Sequence, residues 1–132
     1  MTGLQGNYQV WLEDGGILVV NLIGTIDSKM AFDVERSIKT FLKAIPDIKS
    51  IIFSMIGASS LSSKAINILT DYNQEKKTIY FKIPELVKKQ IYNPEVLKEF
   101  EKREINKNNI QELVRAIQKS YSEDENDVGI QR

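Results

Sequence analysis

Residues 17–57 read ILVVNLIGTIDSKMAFDVERSIKTFLKAIPDIKSIIFSMIG, and three patterns follow one another inside them. Ile17 to Ile23 is a largely apolar, β-branched run, as expected of a strand buried on both faces. Gly24 breaks that run, and Thr25-Ile26-Asp27-Ser28 forms a loop with capping residues for a helix. Ala31, Val34, Ile38, Phe41 and Leu42 then fall on one helical stripe, which predicts a helix from about Met30 to Ala44, closed by Pro46-Asp47. Ser50 to Ile56 is a second apolar run ending at Gly57, short enough to be a buried strand. A strand, a helix and a strand in this order form a parallel unit with a right-handed crossover.

Upstream, Tyr8, Val10 and Leu12 alternate along Asn7 to Leu12, and Asp14-Gly15-Gly16 accepts the positive φ angles of a tight turn. A hairpin therefore precedes the crossover unit. Downstream, the serine-rich segment Ala58 to Ser63 leads into a second helix, Lys64 to Asn73, with Ala65, Ile68, Leu69 and Tyr72 on its apolar face. Lys77 to Ile83 reads as a strand. Pro84 suits the first turn of a short helix, Glu85 to Ile91. Asn93-Pro94 reads as a turn, and Val96 to Ile105 as a short helix followed by an edge strand. Ile110, Leu113, Val114, Ile117 and Tyr121 mark the last helix, capped by Asn108 or Asn109. The predicted order is β-β-α-β-α-β-α-(β)-α: one α/β domain over residues 1–121, a mixed β-sheet with flanking α-helices, with Ile17–Ile23 and Ile51–Met55 in its interior. Residues 122–132 read as an acidic, flexible tail.

Composition narrows the chemistry. The 132 residues include no His and no Cys. Ser-His-Asp and Cys-His catalysis, disulfides, and His- or thiolate-based metal sites are thereby excluded, and the chain reads as a non-enzyme without metal or cofactor. Lys+Arg and Asp+Glu balance at 18 each, which leaves no surplus for a phosphate backbone, so no nucleic-acid partner is expected. No apolar run approaches the ~20 residues of a membrane span, and Met1 to Gln5 lacks the regions of a signal peptide. The expected setting is the cytoplasm. Glu99, Glu101 and Glu104 interleave with Lys98, Lys102, Arg103 and Lys107, the mixed pattern of a solvated face. Trp11 is expected to pack in the hairpin.

Gly57 to Lys64 combines a glycine, serines and a lysine, yet it is no Walker loop: Ser63 precedes Lys64 where a glycine is required, and Ala65 follows where a hydroxyl is required. The order of elements, with Gly24-Thr25-Ile26-Asp27, the strand Ser50 to Met55 and the segment Ser59-Ser60-Leu61-Ser62-Ser63, resembles a STAS domain of the anti-sigma factor antagonist type. The resemblance covers roughly residues 7 to 120. It implies a bacterial regulatory module whose partner is a protein, an anti-sigma factor or GHKL-type serine kinase, and whose serine is phosphorylated by that kinase. The family's loop reads Asp-Ser-[Ser/Ala]-Gly, which matched by position places Ser62 at the acidic residue, Ser63 at the phosphorylated serine, Lys64 next and Ala65 at the glycine. The serine is kept and both flanking hallmarks are changed. That departure bears on phosphorylation rather than on fold, and it favours the other reading of the resemblance, an unphosphorylated scaffold subunit of a stress-signalling or lipid-transport complex.

The resemblance and the placement of loops on a rigid scaffold together nominate a partner-binding surface of Asp27, Ser28, Ser60, Ser62, Ser63, Lys64, Asn67 and Asp71. Each has a plainer role open to it. Ser62 or Ser63 can cap the second helix, and Asp27 can cap the first. Lys64 is expected to stand beside a phosphate on Ser63.

Overall fold

The computed structural model describes residues 6–71 and 77–130, with the side chains of 123–130 outside that description. The hairpin forms as β1 (Asn7–Glu13) and β2 (Ile17–Ile26), paired antiparallel from Asn7↔Ile23 to Glu13↔Ile17. Its turn depends on glycine at Gly16. That residue has φ +75°, and a Cβ there would lie 2.4 Å from the Asp47 carbonyl oxygen. The close approach is put to use, because the Gly16 carbonyl accepts from the backbone N–H of both Lys49 and Ser50, tying the hairpin to the start of the next strand.

Helix α1 (Ser28–Ala44) buries Ala31, Val34 and Ile38, the stripe expected of it. It leads to β3 (Ser50–Leu61), then α2 (Ser63–Asp71), β4 (Lys77–Phe81), α3 (Glu85–Lys88), α4 (Pro94–Lys102), β5 (Glu104–Ile105) and α5 (Ile110–Ile130). The five strands lie in sequence order, and every pair after β1–β2 is parallel. One face of the sheet packs against α1, α2, α3 and α4 around Leu18, Val20, Phe53 and Tyr80. The other packs Ile17, Val19, Ile52 and Phe81 against Leu113, Val114 and Ile117 of α5, with Trp11 at the margin of that core. Ile17–Ile23 and Ile51–Met55 are interior, as expected.

Several boundaries differ from the sequence expectation. Gly24 does not end β2: it takes φ +71°, and the strand continues to Ile26. The serine-rich segment through Leu61 is strand rather than loop, because β3 follows β2 with two register shifts, between Asn21 and Ile23 and between Gly24 and Thr25. Strand β4 stops at Phe81, and Lys82, in the left-handed region at φ +52°, follows it. Helix α3 is one turn. Asn93-Pro94 is no separate turn but a helix start, with Asn93 Oδ1 accepting from the N–H of Glu95 and Val96 and Pro94 beginning α4. Asn109, rather than Asn108, caps α5, its Oδ1 accepting from Glu112 N–H at 2.9 Å. Tyr72 and Asn73 lie outside the described residues. Helix α5 runs past Tyr121 into the acidic segment, whose side chains beyond Ser122 also lie outside them, as does the flexibility expected of that segment.

Candidate functional site

Asp27, Ser28, Ser60, Ser62, Ser63 and Lys64 gather where β2 and β3 end and α1 and α2 begin, whereas Asn67 lies midway along α2 and Asp71 at its far end. The ladder places Thr25 beside Ser60 and Ile26 beside Leu61, and Ser62 N–H donates to the Ile26 carbonyl at 2.9 Å. The two helices then start side by side in the same way. Asp27 Oδ1 accepts from Met30 N–H at 2.8 Å. Ser62 Oγ accepts from Ala65 N–H at 3.1 Å. Each acceptor satisfies a backbone donor that the first helical turn leaves over. The capping roles open to Asp27 and Ser62 are therefore filled.

That assignment leaves Ser28 and Ser63 as the first residues of their helices, both exposed. Among the described residues the Ser63 hydroxyl has no hydrogen-bond partner, so it is not needed as a cap. Asn67 and Asp71 are exposed on the same helix, while Ala65, Ile68 and Leu69 are buried, as the spacing predicted. Ser63 borders a groove of about 330 Å³ between α2 and the α3–α4 segment, with Ile66, Ile91 and Val96 as its apolar lining. Tyr92, 91% exposed, stands at its rim.

Ser60 and Lys64 are each engaged by residues outside the nominated set. Ser60 is half-buried and engaged: Gln90 Nε2 donates to Ser60 Oγ at 2.9 Å, and Gln90 Oε1 accepts from Leu61 N–H at 2.8 Å. Gln90 thus clips the end of β3 to the end of α3, a role its local sequence does not announce because both partners lie about thirty positions away. Lys64 does not stand free beside Ser63. Its Nζ lies 3.6 Å from Glu35 Oε1 and 4.5 Å from the centre of the Phe32 ring, so its charge is held on α1. An ion pair and a cation–π contact together outweigh an exposed position next to a neutral hydroxyl.

The mixed-charge segment also needs correction. Glu99 and Glu101 are about half exposed, but Glu104 is only 12% exposed and lies 3.2 Å from Lys88 Nζ. Its other oxygen accepts from Ile83 N–H at 2.7 Å. Burial pulls the Lys88 pKa down, but the hydrogen bond and charge of Glu104, helped by Glu85 and Glu101, outweigh it and raise the pKa above 10.5. A lysine raised in this way contributes stability that is fully present below its unfolded pKa and lost as pH rises through the folded value. Lys88→Met is accordingly expected to cost about 2 kcal/mol near neutrality, less than a fully buried pair would. Wild type, and not the variant, should lose this contribution above pH 10.5 in urea unfolding followed across pH. Parallel stability curves for the two proteins would show that the pair contributes nothing. Among the described residues no group of three or more acidic side chains is placed to hold a metal ion, and no helix is long and apolar enough to cross a membrane.

No family model matches the sequence, and a search of curated proteins finds no match either. Solved structures do match. The Bacillus cell fate determinant SpoIIAA in its phosphorylated form superposes with TM-score 0.67 at 14% identity, over 83% of this chain and 99% of that one. The anti-sigma factor antagonist SpoIIAA in its unphosphorylated form gives 0.68 at 14% identity, over 83% and 96%. An anti-sigma factor antagonist from Mycobacterium paratuberculosis gives 0.63 at 16% identity, over 85% and 93%. Likeness at such low identity establishes the architecture, and this chain has the STAS fold of the anti-sigma factor antagonists.

Proposed function

We propose that this chain is a cytoplasmic regulatory module of the anti-sigma factor antagonist kind, which binds an anti-sigma factor of the GHKL serine-kinase type and so controls transcription. The observation that carries the reading is Ser63: exposed, at the first position of α2, and relieved of capping by Ser62. It stands at the end of the sheet that also presents Asp27 and Ser28, with Asn67 one turn further along α2. A hydroxyl so placed is open to a kinase, and a phosphate on it would meet the positive end of the α2 dipole. The fold is shared with a protein known in phosphorylated and unphosphorylated forms. One observation favours a second reading, a STAS-like scaffold subunit without a phosphoswitch. Lys64 is committed to Glu35 and Phe32, and Ala65 is buried where the family's loop carries glycine.

Affinity capture from the native cells, with the bound protein identified by mass spectrometry, tests the docking surface. Asp27→Arg and Asn67→Arg are each expected to reduce capture at least about tenfold, as misplaced charge at an interface costs upward of 1.4 kcal/mol. Lys119→Glu, on the exposed side of α5, is expected to leave it unchanged. Capture lost only with the α5 change would place the partner on the opposite face of the sheet.

A further inference from the structure

Strand β1 forms one edge of the sheet, and no described strand lies beyond it. No backbone hydrogen bond among the described residues reaches Asn7–Glu13 from outside the β1–β2 pair. The orientation of its free groups can be read from one contact: Tyr8 N–H donates to the side chain of its own neighbour, Asn7 Oδ1, at 2.8 Å, instead of to β2. Antiparallel ladders alternate, so Tyr8, Val10 and Leu12 turn their N–H and C=O groups outward while the odd-numbered residues bond to β2. Exposed edges of this length normally carry a lysine, a proline or a bulge that discourages pairing. Asn7–Glu13 carries none of these: its register with β2 is unbroken, and its one charge, Glu13, is at its end.

We infer that the β1 edge pairs with β1 of a second copy of this chain, antiparallel about a two-fold axis at Val10, joining two five-stranded sheets into one. The strand is self-complementary in that register. Val10 meets Val10 of the second copy. Tyr8 meets Leu12, which is 41% exposed in the single chain and so has apolar surface to bury. Gln9 meets Trp11. Asn7 meets Glu13, so no like charges oppose each other across the pair, the arrangement a stable ladder requires. The outward groups of Tyr8, Val10 and Leu12 supply six backbone hydrogen bonds in three two-bond pairs, at the cost of releasing the Asn7–Tyr8 contact in each copy. Because β1 lies across β2 from β3, the pairing leaves the serine-bearing ends of β3 and α2 uncovered, and it holds whether or not the proposed partner is the right one.

Sedimentation of the full chain over a wide concentration range should show a monomer–dimer equilibrium. Asn7 is exposed, so both charges can be placed there without disturbing the core. Asn7→Glu opposes Glu13 of the second copy twice by symmetry, and Asn7→Lys pairs with it twice. The dissociation constant of the first should exceed that of the second by at least about fivefold, with wild type between them or shifted only by the loss of the Asn7–Tyr8 contact that both variants share. Amide exchange at Tyr8, Val10 and Leu12 should slow as concentration rises. A chain that stays monomeric throughout, a dimer indifferent to the sign of residue 7, or a dimer whose Tyr8, Val10 and Leu12 amides exchange freely would each overturn the proposal.

Discussion

Ser63→Asp, or phosphorylation of Ser63, is expected to weaken partner binding by about a hundredfold or more, while Ser63→Ala binds like wild type. The sign follows from desolvation. In the free domain a dianion at Ser63 keeps its water and gains from the exposed N–H groups at the start of α2. A partner closing over the groove edged by Ser63, Ile66 and Tyr92 would strip that water and supply apolar surface in return. Burying an unpaired charge costs several kcal/mol, and each 1.4 kcal/mol is tenfold in affinity. The neighbouring cation does not rescue the bound state, because Lys64 is already paired with Glu35 and stacked on Phe32. Titration calorimetry of the three proteins against the captured partner, with intact-mass analysis of protein from native cells, measures both parts. Equal affinities and an unmodified Ser63 would establish the scaffold reading in place of the switch.

The largest stability effect is expected far from that surface. Phe100 is fully buried and stacks on Tyr80 with ring centres 4.4 Å apart and planes 4° from parallel. Tyr80 in turn stacks on Phe53 at 6.1 Å and donates its hydroxyl proton to the Leu69 carbonyl at 2.7 Å. The stack therefore links α4, β4, β3 and α2. Phe100→Ala is expected to cost about 3–5 kcal/mol, a large part of the roughly 5–15 kcal/mol typical of a domain, through lost transfer energy and the cavity left behind. Thermal unfolding should shift down by about ten degrees or more. Phe100→Leu should recover much of this, since it refills most of the volume. A loss below about 1 kcal/mol would mean that α4 rests on the surface without anchoring the core.

These two positions show what the sequence does and does not disclose. Around Ser63 the local signals are strong: a 3.6-residue stripe in α1, a β-branched run in β2, and side chains that cap backbone groups three positions away. Such contacts are short in sequence, so their pattern survives in the string of residues. Phe100 belongs to a segment read as a short helix followed by an edge strand, but its stripe of Val96, Leu97 and Phe100 does not say that Phe100 stacks on Tyr80, twenty positions earlier. The same holds for Gln90 with Ser60, Lys64 with Glu35, and Lys88 with Glu104. Each pair is set by tertiary approach, and nothing in either neighbourhood marks one residue for the other. Ala58 to Leu61 reads as loop for a related reason, since serines favour turns locally and only the ladder to β2 makes them strand.

The unequal lengths of β2 and β3 have a further effect. From Asn21 to Ile26, β2 advances five residues, while its neighbour needs seven to go from Ser54 to Leu61. The paired strands thus behave like two texts read in different frames, brought back into agreement by two extra letters. Ile56 is turned out to water and Leu61 is turned in. Removing one of the extra residues would straighten β3 locally and leave Leu61 facing inward, because Met55, Ala58 and Leu61 recur at every third position beside the inward face of β2. The facing of the tip that presents Ser62 and Ser63 is therefore set by its pairing with β2 and not by a count of residues along β3.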